Sequence, residues 1–426
     1  MINKRYFFIQ LLMLFLSTVP VFAASAPYLE NVDAMAHQHG SHEECPVKTA
    51  QDIIRCAQEE HLAVKRARLG LLSLDALDQI ARQIPNPEFQ TLTAFGDSTM
   101  QSENSLLQPI DIGNKRRARI NDAKAQKKRI EADIQRIQAD VTIESVLNLY
   151  RLRHLDQEMG ILSDTIKVFT QLIAQFRSRP FLSPDQEVVL GIYEIALSDA
   201  QLKKTGLRDK EREIEHYFHM NTGHGLDELR KVLPPPVSHW PQLKENLEIT
   251  SSPEMNYLAA EKEIAKSQVV LVKAESRPDL KAGPAIVLNQ QGDTRQGLVG
   301  AQVSVPIPIF HRNTARQAYV AAELDRSEKA IALLKTEETH ERAEQLKAYR
   351  SAVQALDGAM TESDIEGRYR RLNGFVQRGL ISGALMVEAY RQRYDAQANR
   401  NEHEYLAVKS LLTLYKYDGQ IFKETL

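Results

Sequence analysis

The densest run of chemistry-bearing side chains is HQHGSHEEC at residues 37–45, in which His37, His39 and His42 stand beside Glu43, Glu44 and Cys45. Imidazole, carboxylate and thiolate groups brought this close together suit Zn²⁺, Co²⁺ or copper ions. The run has neither helical nor strand periodicity, so it reads as a flexible lead-in, either an ion-gathering segment or an ordinary polar tail. Cys45 and Cys56 are the only cysteines. They are able to pair in an oxidising compartment, which would withdraw the thiol, but sequence leaves open whether their Cβ atoms face each other. Nothing else suggests a reacting centre. The chain has no G-x-x-x-x-G-K-[ST], H-E-x-x-H or G-x-S-x-G pattern, and hence no expected cofactor and no expected enzymatic activity. His340-Glu341 and His403-Glu404 lie on expected helices without a second histidine, and read as surface residues.

The first residues set the compartment in which these groups would work. Lys4 and Arg5 precede an apolar run from Tyr6 to Leu16, and Val21-Phe22-Ala23 and Ala24-Ser25-Ala26 both fit a small-residue cleavage site. This is the pattern of a secretory signal peptide, and the run is too short for a membrane-spanning helix. No cysteine closely follows either site, so no lipid anchor is expected there. A formal charge of −2 argues against nucleic acid as a partner. Scarce Gly and Pro (19 and 17 of 426 residues) with 26% charged residues are the composition of long solvated helices.

Those helices are visible as long intervals without breakers. Lys48–Ile84, Lys115–Phe176, Pro184–Met220, Pro253–Ser276, Thr314–Phe375 and Ala384–Tyr417 are each expected to be helical. At 1.5 Å per residue the second would reach roughly 90 Å, a length that needs coiled-coil neighbours to bury its apolar stripe. Four short segments differ: Glu88–Thr99, Asn104–Ile112, Asp279–Asn289 and Leu298–Ile309. They have the length of tilted transmembrane strands, which a soluble hairpin would share. In the last, Val299, Ala301, Val303, Val305, Ile307 and Ile309 fall on one side; the first pair alternates poorly.

The chain is also duplicated. Pro109-Ile110-Asp111-Ile112 with Lys115 recurs as Pro306-Ile307-Pro308-Ile309 with Arg312, an offset of 197. Phe176, Arg179, Phe181, Leu182 and Ser183 recur as Phe375, Arg378, Leu380, Ile381 and Ser382, an offset of 199. Pro85-Asn86-Pro87-Glu88 echoes Ser276-Arg277-Pro278-Asp279 at 191. The expected organisation is a signal peptide (1–26), a His-rich flexible segment (27–47), a first repeat (48–230), a linker (231–250), a second repeat (251–420) and a short tail (421–426). Two strands per repeat are too few to close a barrel, and open edges cannot sit in lipid, so several chains must contribute strands to one barrel.

This pattern resembles the TolC-type outer-membrane efflux family over about residues 45–420. LLQPIDIGNKRRARINDAKA (106–125) and GAQVSVPIPIFHRNTARQA (300–318) look most like its CzcC-like, cobalt–zinc–cadmium subgroup. Thr314-Ala315 departs from the Gln-Gly that the subgroup often carries. The resemblance implies a mainly α chain with a small β part: a duplicated long-helix coiled-coil barrel with four transmembrane strands, closing as a homotrimer around a twelve-stranded β-barrel. It implies an outer-membrane exit duct with a periplasmic extension, working with a periplasmic adaptor and an inner-membrane pump of the resistance-nodulation-division class to export heavy-metal cations. Drug export or type I protein secretion in the same fold, and a periplasmic coiled-coil adaptor, are the competing readings. By the same resemblance, two helix-hairpin tips would contact the adaptor: Arg179, Phe181, Leu182 and Ser183, and Arg378, Gly379, Leu380, Ile381 and Ser382. Glu388 falls on an acidic position at the periplasmic entrance, and Leu385 replaces a second acid there. Copies of Glu388 would form a carboxylate ring that favours cations.

Overall fold

The computed structural model describes residues 45–97, 99–245, 251–309, 313–378 and 382–423. His37, His39, His42, Gly379, Leu380 and Ile381 lie outside the described residues, as does the signal peptide. The first repeat runs α1 (Ala50–Glu60), α2 (Leu62–Arg68), α3 (Leu74–Arg82), β1 (Glu88–Phe95), β2 (Thr99–Ile110), α4 (Lys115–Arg177), α5 (Pro184–Thr222) and a short α6 (Leu226–Leu229). The second runs α7 (Pro253–Glu275), β3 (Leu280–Gln291), β4 (Thr294–Ser304), α8 (Thr314–Gly358), α9 (Glu362–Gln377) and α10 (Gly383–Tyr417). The chain is mainly helical with four antiparallel strands.

Local chemistry repeats along with the elements. Asn114 and Asn313 precede α4 and α8, and both have left-handed backbone (φ 63° and 55°), which asparagine tolerates better than other non-glycine residues. Ser183 and Ser382 are the extended N-caps of α5 and α10. Ser183 makes a reciprocal capping box with Gln186, and Pro184 occupies the first turn, where its missing N–H costs nothing.

Two helices expected to be continuous are broken. The interval from Lys48 to Ile84 is interrupted at His61, whose ring accepts from the Ala63 N–H, and by a 3-10 turn over Leu69–Ser73 that includes Gly70. The helix expected from Thr314 to Phe375 stops at Gly358. It restarts because Thr361 and Asp364 cap each other's backbone N–H groups at 3.3 and 3.2 Å. Strand limits shift as well. β2 begins at Thr99, five residues before the expected start, and β4 ends at Ser304, before Pro306 and Pro308 remove two ladder donors.

The sheet order is β1-β2-β3-β4, so the central pair joins the two repeats and the outer edges of β1 and β4 are unpaired within the chain. The register sorts the residues into two faces. Phe89, Leu106, Ile110, Ile286, Leu288 and Val299 share one face and are exposed. The other carries Glu88, Gln101, Glu103, Lys281, Gln296 and Gln302. Lys281 reaches Glu88 at 2.7 Å across that polar face. Gly283 is required where β3 crosses β2, because a Cβ there would lie 1.9 Å from the Leu106 carbonyl oxygen.

The helical core is centred where α4, α8 and α10 meet, around Tyr150, Leu346, Tyr349, Leu411 and Leu414, with a second cluster joining α4 to α5 through Leu152, Leu207 and Phe218. The segment between the repeats packs on the helices. Residues 233–245 form a strap across this core, with Trp240 edge-on to Tyr349 and the Tyr349 hydroxyl donating to the Pro241 carbonyl at 2.8 Å.

Candidate functional site

The residues that lead into the two hairpin turns are arranged alike. Arg179 stacks over Phe176 at 4.9 Å and Arg378 over Phe375 at 5.2 Å, so each tip presents a guanidinium on an aromatic face. Phe181 is 91% exposed, Leu182 is half-buried, and Ser183 is committed to its cap. Between the tips, Phe169, Tyr193, Met386 and Tyr390 form a small core that holds the α4–α5 and α9–α10 pairs together. Arg393 closes it, lying 3.7 Å from the Tyr369 ring and pairing with Glu366 at 2.8 Å.

Leu385 and Glu388 both lie on the exposed side of the first turns of α10. The Glu388 carboxylate accepts from Arg391 at 2.7 and 2.9 Å and from Gln392 at 2.7 Å. These bonds hold its pKa down at about 2, so it stays ionised in any ordinary medium. Arg391 also bonds Asp395, which leaves the group Glu388, Arg391 and Asp395 with one net negative charge per chain.

Cys45 and Cys56 are joined, Cα to Cα 5.9 Å. The disulfide ties the segment preceding α1 to the buried face of that helix and removes the Cys45 thiol from any ligand set. Among the described residues no cluster of three or more His, Cys, Asp or Glu side chains is placed to hold a metal ion.

Sequence reasoning missed a buried carboxylate in the helical core. Glu404, expected on the surface, is enclosed against α4. Its carboxylate accepts from Arg153 at 2.5 Å, lies 3.0 Å from the His154 ring and accepts from the strap's Val237 N–H at 3.1 Å. Arg153 also donates to the Pro234 carbonyl at 3.0 Å. Burial raises the Glu404 carboxyl, but the His154 hydrogen bond and the Arg153 charge outweigh it and hold the pKa at about 2. Burial drives the His154 imidazole below its usual range. A second clasp holds the strap's other end: Arg342 pairs with Asp418 at 2.7 Å and donates to the Lys244 and Glu245 carbonyls. The available signal was the phase of α10, since Glu404 follows Asn401 and Gln397 on one helical face.

No family model matches the chain. It is 22% identical over 254 residues to the cobalt-zinc-cadmium resistance protein CzcC of Cupriavidus metallidurans, a match covering 58% of this chain and 60% of CzcC. Among solved structures, the CmeC outer membrane channel of Campylobacter jejuni superposes with a TM-score of 0.66 at 14% identity, covering 88% of this chain and 87% of CmeC. The open-state MtrE outer membrane channel of Neisseria gonorrhoeae gives 0.63 at 14% identity, with 88% and 89% covered.

Proposed function

Because the chain has the fold of the TolC-type outer-membrane channels, we propose that three copies close a twelve-stranded barrel in the outer membrane and continue into the periplasm as a helical tube. The sheet carries this reading: one face concentrates the exposed Phe89, Leu106, Ile286, Leu288 and Val299, the other carries Glu88, Gln101, Glu103 and Lys281 together with Leu92 and Leu298, and both outer edges are unpaired among the described residues. Unpaired backbone groups in lipid cost several kcal/mol each, so β1 of one copy must pair with β4 of the next. The apolar face then meets lipid and the polar face lines a water-filled lumen. Such a tube is a passive exit duct. Its periplasmic tips would dock on an adaptor, and an inner-membrane pump of the resistance-nodulation-division class would supply the driving force.

We further propose heavy-metal cations as cargo, on the distant similarity to CzcC and the acidic residue at Glu388. Drugs, small organic compounds or a secreted protein remain the alternatives within the same fold. The duct is tested by fractionation and electrophoresis. An outer-membrane protein that migrates as a heat-labile trimer and conducts ions in planar bilayers supports it; a monomer in the soluble periplasmic fraction refutes it. The cargo is tested by growth of a deletion strain across Zn²⁺, Co²⁺, Cd²⁺, Ni²⁺, Cu²⁺, Ag⁺ and hydrophobic drugs. Selective metal sensitivity, restored by the intact gene, supports cation export, whereas drug sensitivity alone replaces it.

A further inference from the structure

α4 opens on a strongly basic stretch. KRRARINDAKAQKKR (115–129) holds eight Lys and Arg against one Asp, a net charge of +7 in a chain whose total is −2. The duplication supplies a comparison. Counted from the left-handed Asn114 and Asn313, the equivalent stretch of α8 (314–328) nets −1, with Ala315, Glu323 and Ser327 in the places of Arg116, Lys124 and Lys128. The helix start therefore forms without the charge. Its placement is unfavourable in itself, because the first turn of α4 has no acidic residue, where the helix dipole favours anions.

Some of these cations are used within the chain. Lys115 pairs with Asp279 at 2.6 Å, Arg119 with Asp111 at 3.0 Å, and Arg129 donates to the Tyr257 hydroxyl at 3.2 Å. Arg116, Arg117, Lys124 and Lys128 are exposed, and none is ion-paired among the described residues. At 100° per residue these four share a sector of about 120°. The helix packs elsewhere. The last carbonyls before β1, of Arg82 and Gln83, accept from Arg116 and Arg119, while Ser267 of α7 donates to Asp122. Those two sets of contacts lie roughly 100° apart on the side away from the sector and 260° apart through it. A helix in a closed wall has its two neighbours closer together on the inner side, so the sector faces outwards.

We propose that this sector binds the phosphates of anionic phospholipids in the periplasmic leaflet, an inference that rests on the outer-membrane reading above. Position selects the occupant. The apolar face of β2 ends at Ile110, and Ile110 and Ile112 are 46% and 41% exposed. The cations begin within a few residues of them, so isoleucines in hydrocarbon are followed by guanidinium groups at headgroup level. Attraction to a charged surface fades over a Debye length of about 8 Å. Lys124 and Lys128 stand about 11 and 17 Å beyond Arg117 along the helix. Arg116 and Arg117 therefore contribute most and Lys128 least.

The test uses the full-length protein carrying Ile112→Trp, reconstituted in mixed vesicles of phosphatidylcholine and phosphatidylglycerol in which one lipid or the other is brominated. Quenching of the emission added by Ile112→Trp reports which lipid sits beside α4. Phosphatidylglycerol should be preferred about fivefold, the worth of one cation at an anionic surface, and the preference should collapse at high salt. Arg116→Gln with Arg117→Gln should abolish most of it, Lys128→Gln should change it little, and Arg116→Lys with Arg117→Lys should retain it. Equal quenching by the two lipids, or a preference that survives glutamine at all four positions, overturns the proposal. If that fourfold variant instead shifts anion-over-cation permeability in planar bilayers and keeps its lipid preference, the sector lines the lumen and the proposal is wrong. A parent protein that stays soluble and never enters vesicles overturns the outer-membrane reading itself.

Discussion

Glu404→Gln removes one charge from a pocket in which Arg153, His154 and the strap's backbone all converge on a single carboxylate. The variant keeps the shape and leaves Arg153 buried without a counter-ion, a change that costs about 3–5 kcal/mol. The pH dependence supplies a second, independent figure. Glu404 falls from the ordinary 4.5 to about 2 on folding, which corresponds to about 3 kcal/mol. The sign follows from which state binds more protons. Glu404 has a depressed pKa, so its contribution is complete above about 4.5 and is lost as pH falls through about 2. His154 is also depressed, from 6.5. The unfolded state therefore takes up its proton first, and stability falls as pH drops below that value. Both groups weaken the clasp in acid. The assay is intrinsic, because Trp240 is the only tryptophan and sits in the strap. Urea unfolding of the detergent-solubilised protein, followed by Trp240 emission between pH 7.5 and 2.5, should show a steep acid limb in the parent. Glu404→Gln should be far weaker at pH 7 and should lose that limb below pH 4.5. A loss under about 1 kcal/mol at pH 7, or an unchanged acid limb, refutes the clasp as an ionised, enclosed pair.

Three further outcomes follow from the structure. Replacing Cys45 and Cys56 with serine opens an 11-residue loop closed by the disulfide and should cost about 2–4 kcal/mol in thermal or urea unfolding, matched by reducing the parent protein. Gly283→Val drives a side chain into the β2 backbone, so barrel assembly in outer-membrane vesicles should fail while the helical signal in circular dichroism persists. Glu388→Gln should lower cation-over-anion permeability in planar bilayers. Because Glu388 holds its charge to about pH 2, the parent's selectivity at this position should stay level from pH 7 down to pH 4; a fall beginning near pH 5 would mean that the Arg391 contact is absent in the assembled duct.

What could be read from sequence divides along a physical line. Helices of forty to sixty residues announce themselves because no breaker interrupts them, and α4 starts at Lys115 as expected and ends at Arg177, within a residue of expectation. Breaks that rely on a side-chain cap, such as Thr361 with Asp364, stay hidden because the same residues also suit a helix surface. Strand limits were obscured by the polar residues within the strands. Gln101 and Glu103 look like a polar hairpin tip, yet they belong to β2 and face the polar side of the sheet. The alternation of β1 and β2 becomes legible only when the register aligns Phe89 with Leu106. Glu404 was misread for a related reason: its partners, Arg153 and His154, lie some 250 residues away in sequence, and no local pattern foretells a contact at that distance.

In the closed-barrel proposal, the contacts a single chain leaves unmet differ in kind from those it completes by itself. The outer edges of β1 and β4 lie on one continuous sheet and are unpaired among the described residues. If the barrel closes as proposed, those edges are paired only by another copy. The buried clasps of the strap behave differently. Arg153–Glu404 and Arg342–Asp418 join helices to the strap within one chain, so they need no second copy to form, and they fix the spacing between α4, α8 and α10. Since an ion pair buried without its partner is costly, the clasps penalise any chain in which the two repeats have docked out of register.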